Sequence, residues 1–302
     1  MTEQTAPPAG RHLAAEIATQ PEDWLRVAAQ VGRHAQALPQ LGERVAVIGC
    51  GTSLYMAQSY AVLREQAGHG VTDAYPASEH ALHRGYDRVL AISRSGTTTE
   101  VLEVLRDLRA GPAVTAITAD GSAPVVELAQ RVVLLDDVDE RSVVQTRFAT
   151  STLALLRAHL GEDLAPVAEQ ARAALAVEPA PELRAAEQVS FLGRGWTIGL
   201  ANEAALKLRE SAQLWTESYP AMEYRHGPIS IAAPGRVTWA FGDVPDGLAE
   251  QVRATGAHFE HSGGDPLADL VRVHRLCLVA AAARGLDPDR PRHLSRSIIL
   301  TP

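Results

Sequence analysis

Apolar and polar positions alternate in blocks along this chain. Short, largely apolar runs of four or five residues are mostly followed by a longer stretch in which apolar residues recur every three or four positions. The runs are Val45 to Ile48, Val71 to Tyr75, Val89 to Ile92, Val114 to Ile117 and Val132 to Leu135. They read as buried strands, and the periodic stretches between most of them, such as Leu54 to Gln66, read as helices. Strands alternating with helices predict an α/β fold whose parallel sheet is covered on both faces.

The pattern then changes and returns. Val143 to Leu160 and Leu164 to Leu175 read as two long helices ending before Pro179-Ala180-Pro181, the best linker in the chain. Beyond it, strands are predicted near Val189 to Leu192, Val237 to Phe241 and Ala257 to Glu260, with helices near Leu200 to Leu214, Gly247 to Thr255 and Leu267 to Arg284. Upstream of the first strand, His12 to Leu38 is helical in pattern, with a break expected at Gln20-Pro21-Glu22-Asp23 because proline starts a helix more readily than it continues one. Residues 1 to 10 read as a loose tail, and Asp287 to Ile298 as an irregular segment laid over the molecule, since it has no apolar face of its own.

One turn repeats. Val45-Ala46-Val47-Ile48-Gly49-Cys50-Gly51-Thr52-Ser53 and Val189-Ser190-Phe191-Leu192-Gly193-Arg194-Gly195-Trp196 are both strands that run through a Gly-x-Gly turn into a helix. Their separation is about one domain length, so the spacing suggests two copies of one unit.

Composition narrows the classes. With 46% hydrophobic residues over 302 positions a substantial core is assured, and a net charge of −8 without a basic block removes the electrostatic footprint of a nucleic-acid binder. No run reaches the length of a membrane span, and the first residues lack the basic and apolar regions of a signal peptide. The two cysteines, Cys50 and Cys277, lie in apolar surroundings without metal-ligand spacing. These features fit a cytoplasmic protein with no nucleic-acid or membrane partner, no metal and no cofactor.

The chemistry concentrates in three places. Ser93-Arg94-Ser95-Gly96-Thr97-Thr98 follows a buried strand and opens a helix, offering hydroxyls, free N–H groups and the positive end of a helix dipole to a phosphate. The same hydroxyls also fit ordinary helix caps. Glu203, Lys207 and Glu210 share one helical face and fit either a solvated ion-pair ladder or, facing a cleft, a carboxylate that moves a proton between adjacent sugar carbons beside an ammonium that sets its charge. His226, in Met222-Glu223-Tyr224-Arg225-His226-Gly227-Pro228, is either a surface residue or a proton carrier to a ring oxygen.

Taken in order, these motifs resemble the sugar isomerase (SIS) domain family, in particular the double-SIS isomerase half of glucosamine-6-phosphate synthases and the related amino-sugar-phosphate deaminase/isomerases. The resemblance runs from Glu16-Ile17-Ala18-Thr19-Gln20-Pro21 to Pro291-Arg292-His293-Leu294-Ser295-Arg296-Ser297. It implies two tandem SIS domains, each a parallel sheet flanked by helices in a Rossmann-like, flavodoxin-type three-layer sandwich. The expected division is residues 1–40 as tail and leading helices, 41–178 and 179–285 as the two domains, and 286–302 as a tail over the active site.

The resemblance also implies roles. Gly51, Thr52 and Ser53 with Ser93, Arg94, Ser95 and Thr98 would hold a sugar phosphate, Gln145 would touch the sugar, and Glu140 would lie near the site. Glu210 would be the base for C1–C2 proton transfer, Lys207 its companion, and His226 the ring-opening residue, donated by the second subunit of a homodimer.

Two departures qualify this. The glutaminase half of the synthases, with its cysteine, has no counterpart in these residues. The tail lysine that forms a Schiff base in the synthases is matched by Arg296, and an arginine stays protonated and cannot act as that nucleophile. Arg296 is expected instead to hold a substrate oxygen or a carboxylate. The implied activity is a phosphosugar isomerase or amino-sugar-phosphate deaminase acting on a hexose or hexosamine 6-phosphate. The alternative is a non-catalytic SIS regulator that binds a sugar phosphate.

Overall fold

A computed structural model describes residues 8–108 and 111–300. Most of the expected N-terminal tail, residues 1–7, lies outside that range.

The chain opens with α1 (Arg11–Ala29) and α2 (Val31–His34) and then builds a five-stranded sheet. Its elements are β1 (Val45–Gly49), α3 (Thr52–Gln66), β2 (Thr72–Pro76), β3 (Arg88–Ile92), α4 (Thr99–Asp107), β4 (Ala113–Thr118), α5 (Val125–Leu128) and β5 (Arg131–Leu134). Next come α6 (Arg147–His159), α7 (Ala165–Ala176) and α8 (Pro181–Arg184). A four-stranded sheet closes the chain through β6 (Gln188–Gly193), α9 (Thr197–Ala212), β7 (Trp215–Pro220), β8 (Arg236–Ala240), α10 (Leu248–Ala254), β9 (His258–Glu260) and α11 (Pro266–Ala283). Both sheets are parallel throughout. Their strand orders, β2-β1-β3-β4-β5 and β7-β6-β8-β9, share one topology, reversing direction between β1 and β3 and again between β6 and β8.

The period of two along each strand sorts side chains between layers. Val45, Val47, Leu90 and Ile92 join an inner cluster, whereas Ala46, Ile48, Val89 and Ala91 face outward onto α4 and α5. In the second sheet Val189, Phe191 and Trp239 reach the same inner cluster, and Leu192 and Ala240 face outward. The two sheets therefore share one core, filled by helices α1, α3, α6, α7, α9 and α11. A buried polar chain stitches three of these helices together. Trp24 Nε1 donates to Thr150 Oγ1 (3.1 Å), Thr150 donates to Gln20 Oε1 (2.9 Å), and Gln20 Nε2 meets His274 Nδ1 (3.1 Å). Burial pushes the His274 imidazole down to about 3, so it stays neutral there.

The paired Gly-x-Gly turns do the same mechanical work in both sheets. A Cβ at Gly49 would come within 2.8 Å of the Ser53 carbonyl carbon, and one at Gly193 would strike the Thr197 backbone, so each strand can pass directly beneath the helix it launches. Gly199, early in α9, lies against Tyr55 O and Ser59 of α3, leaving no room for a side chain. That contact lays the helix of the second sheet across the helix of the first.

Three expectations are corrected. Helix α1 continues through Pro21, because Gln20 Nε2 donates to the Ile17 carbonyl (3.3 Å) that the missing proline N–H leaves free. The helix expected from Val143 starts at Arg147, capped by the buried Glu140 carboxylate, which accepts the N–H groups of Thr146 (2.5 Å) and Arg147 (2.8 Å). Strand β7, Trp215–Pro220, was not anticipated.

Candidate functional site

At the carboxyl ends of β1 and β3, where the order of the first sheet reverses, two strand-to-helix turns face one another, the usual location of a ligand in an open α/β sheet. The β1 turn presents Gly51, Thr52 and Ser53 at the start of α3, and the β3 turn presents Ser93 to Thr98 at the start of α4. A cavity of about 190 Å³ lies between them. It is lined by Gly51, Thr52, Ser53, Ser93, Arg94, Ser95 and Thr98, by Gln145 from the loop before α6, by Lys207 and Glu210 from α9, and by Leu294 to Ile298 of the tail. Of the residues expected at the site, Gly51, Thr52, Ser53, Ser93, Arg94, Ser95, Thr98, Gln145, Lys207, Glu210 and Arg296 line this one cavity.

The hydroxyls of the β3 turn are clustered. Thr97 Oγ1 lies 3.0 Å from Ser95 Oγ, which also accepts the Thr97 N–H at 3.2 Å. Ser93 Oγ is buried without a hydrogen-bond partner, an uncommitted polar atom on the cavity wall.

Arg94 is buried. It donates to the carbonyls of Ser142 (3.2 Å) and Arg296 (3.0 Å) and stands 3.6 Å from Glu140 Oε2. Desolvation works to lower the affinity of its guanidinium for its proton, and Glu140 opposes that. The Glu16 carboxyl accepts the Arg141 N–H at 2.5 Å and shares the burial. Desolvation and the neighbouring Glu140 raise it above the usual carboxylate range.

On α9 the spacing of four and three residues puts Glu203, Lys207 and Glu210 on one face, the first two buried and Glu210 half-buried at the cavity. Lys207, 1% exposed and the only lysine in the chain, is 3.7 Å from Glu203 Oε1 and in direct ion-paired contact with Glu210 Oε2. The solvated-ladder alternative is thereby excluded. Burial pushes the Glu203 carboxyl up to about 7, reinforced by Glu210 and offset by Lys207 and Thr52. Burial also works against the Lys207 ammonium, but the two carboxylates more than compensate and hold it above its usual value. The result is a carboxylate at the cavity, Glu210, held beside a fixed cation.

His226 is exposed, in a short 3-10 turn at Glu223–His226, and does not line the cavity. Arg296 lies over the cavity with its guanidinium on Asp139 Oδ1 (2.5 Å) and on the Glu140 carbonyl. Asp139 and Ser297 were missed by sequence reasoning. Neither sits in a motif, and both matter only because the tail returns across more than 150 residues of chain. Among the described residues no group of three or more His, Cys, Asp or Glu side chains is arranged to hold a metal.

Comparison with known proteins places these features. Residues 42–160 match the SIS domain. The isomerizing glutamine–fructose-6-phosphate aminotransferase of Aeropyrum pernix is 30% identical over 321 residues, covering 84% of this chain and 51% of that protein. That of Sulfolobus acidocaldarius is 27% identical over 296 residues, covering 84% and 50%. The chain thus spans about half the length of these curated relatives. Among solved structures, glucosamine-6-phosphate deaminase from Thermotoga maritima superposes with a TM-score of 0.80 at 21% identity, over 96% of this chain and 100% of that one. Tagatose-6-phosphate ketose/aldose isomerase from Escherichia coli gives 0.79 at 17% identity, over 98% and 99%. At such identities the likeness is one of fold.

Proposed function

From the premise that this chain carries a SIS domain, we propose that it is a phosphosugar isomerase or amino-sugar-phosphate deaminase that moves a proton between C1 and C2 of a hexose or hexosamine 6-phosphate. The observation that carries this reading is the convergence of the hydroxyl-rich turn and the Lys207/Glu210 pair on one cavity. Phosphate would sit at Ser53, Ser93, Ser95 and Thr98, which line the cavity where two helices begin. The sugar carbons would then lie toward α9. Glu210 takes the proton from one carbon and returns it to its neighbour through an enediol or enolamine, while Lys207, paired with it, stabilises negative charge developing on the sugar oxygen.

In this reading residues 41–178 form one SIS unit and 179–285 a second, whose matching topology and paired glycine turns support the division. The working form is a cytoplasmic homodimer, because an exposed His226 can open the sugar ring only in the cavity of another copy. Arg296, engaged with Asp139, contributes a fixed tail above the sugar and no covalent bond to it.

The test is a screen of the purified chain against hexose and hexosamine 6-phosphates in deuterated buffer, following deuterium at C2, ketose formation and ammonia release separately. Deuterium exchange with one of these substrates is expected. Tight binding of a sugar phosphate without any exchange would replace catalysis with the regulator reading.

A further inference from the structure

The tail from Leu294 to Leu300 is attached to the cavity by polar contacts and by little else. Leu294, Ile298, Ile299 and Leu300 remain 40–65% exposed, so apolar burial does not hold this segment down. Its backbone is registered on the β3 turn. Arg94 donates to the Arg296 carbonyl (3.0 Å), the Thr99 N–H to the Ile298 carbonyl (3.2 Å), and the Leu300 N–H to Thr99 Oγ1 (2.9 Å). Between these points the Ser297 hydroxyl enters the hydroxyl cluster, 3.0 Å from Thr97 Oγ1, 3.1 Å from Ser95 Oγ and 3.5 Å from Thr98 Oγ1.

Four hydroxyls so spaced line one small polar volume. With Ser95 and Thr97 within reach as donors, the acceptor capacity of Ser297 is served, and its own proton is free to turn toward an anion. Resting on the phosphosugar reading above, we propose that Ser297 is a ligand of the substrate phosphate supplied by the tail, so that phosphate, and not the sugar alone, fastens the tail over the site. A neutral hydroxyl cluster holds the segment weakly, whereas a dianion beside it accepts the Ser297 proton in a charge-assisted hydrogen bond. Ser297 then sets specificity for phosphorylated over unphosphorylated sugars from a position distant in sequence from the phosphate turn.

The experiment uses the full chain. Trypsin cleavage after Arg292 and Arg296 is followed by mass spectrometry with inorganic phosphate, glucose 6-phosphate or glucose, and phosphate occupancy is measured in parallel by calorimetry. In the wild type both phosphate compounds are expected to slow cleavage about tenfold, and glucose is expected to have no effect. Ser297→Ala, an uncharged change in a half-buried tail residue, should bind inorganic phosphate more weakly by roughly three- to tenfold, one charge-assisted hydrogen bond, and lose the slowing even at saturation. Asp139→Ala, which releases the Arg296 guanidinium, should speed cleavage without ligand yet retain the response to phosphate.

If Ser297→Ala is protected as fully as the wild type, or if glucose protects as well as its phosphate, the tail does not read the phosphate and the proposal falls. Protection absent in a wild type that binds phosphate has the same meaning. If the wild type binds neither phosphate compound, it is the phosphosugar reading of the cavity that fails.

Discussion

The two sheets repeat one topology and put it to different uses. At the reversal between β1 and β3 the turns carry Thr52, Ser53, Ser93, Ser95 and Thr98 around a cavity of about 190 Å³. At the matching reversal between β6 and β8 the turns read Arg194-Gly195-Trp196-Thr197 and Gly242-Asp243-Val244, around a cavity of about 900 Å³. There the one buried hydroxyl is already committed. Thr197 Oγ1 accepts the Arg194 N–H at 2.8 Å and lies 3.0 Å from the Phe241 carbonyl, and Asp243 brings negative charge where the first turn has serine. The second turn anchors α9, and the helix then delivers Lys207 and Glu210 to the first sheet's cavity, with Glu203 buried beside Lys207. A topological switch point creates the opportunity for a ligand, but the side chains placed there decide whether it is taken. On the proposed reading, one half grips the phosphate and the other half acts on the sugar.

That division can be broken experimentally. The largest effect is expected from Glu210→Gln, which keeps shape and removes the base. Turnover should fall by about 100-fold or more with KM little changed, since general-base catalysis is worth roughly 10²–10⁴. A variant that instead loses binding would show that α9 grips as well. Next, Ser93→Ala with Ser95→Ala should weaken phosphosugar binding by roughly 2–4 kcal/mol in calorimetry, about 1–2 for each charge-assisted hydrogen bond. Unchanged affinity would remove the phosphate from this turn.

A third prediction concerns pH. Because burial raises the folded-state pKa of Glu203 to about 7 from 4.5, the folded protein retains this proton over a range in which the unfolded chain has lost it. Stability should therefore decline as pH rises from about 4.5 to 7. Glu203→Gln should flatten that slope in denaturant titrations, and an unchanged slope would assign it elsewhere. The smallest effect belongs to the second turn. Thr197→Ala should cost about 1–2 kcal/mol of stability by removing the hydroxyl that ties the start of α9 to the Arg194 N–H and the Phe241 carbonyl, leaving phosphate affinity intact. A loss of affinity there would blur the contrast between the two reversals.

What could be read in advance divides along the same physical lines. Buried parallel strands such as Val45–Gly49 and Arg88–Ile92 announce themselves as apolar runs, and the turns after them follow from position. Strand β7 did not, because Trp-Thr-Glu-Ser-Tyr-Pro lies at the edge of its sheet, partly exposed, and has neither an apolar run nor a clean alternation. Val143 and Val144 looked like the first turn of a helix, yet the carboxylate of Glu140 folds back to cap at Thr146, a contact that local periodicity does not encode. The Glu203/Lys207/Glu210 face was legible from spacing, but its burial depends on the close passage of α3 over Gly199. Ser297 and Asp139 were silent because their partners are distant in the chain.

The single lysine has one more consequence. Reducing sugars in their open-chain form glycate exposed ε-amines, and a protein that holds such sugars beside its own amine is exposed to that chemistry at every turnover. Here every other basic side chain of the Lys/Arg class is arginine, and the one ε-amine is 1% exposed and clamped as an ammonium between two glutamates. The described surface is thus free of lysine targets, and the amine that lines the cavity is kept in its unreactive, protonated form. It also makes Lys207 a built-in reporter. An amine-selective acylating reagent has no other side chain to modify, so its rate of attachment measures how often this ion pair opens to solvent.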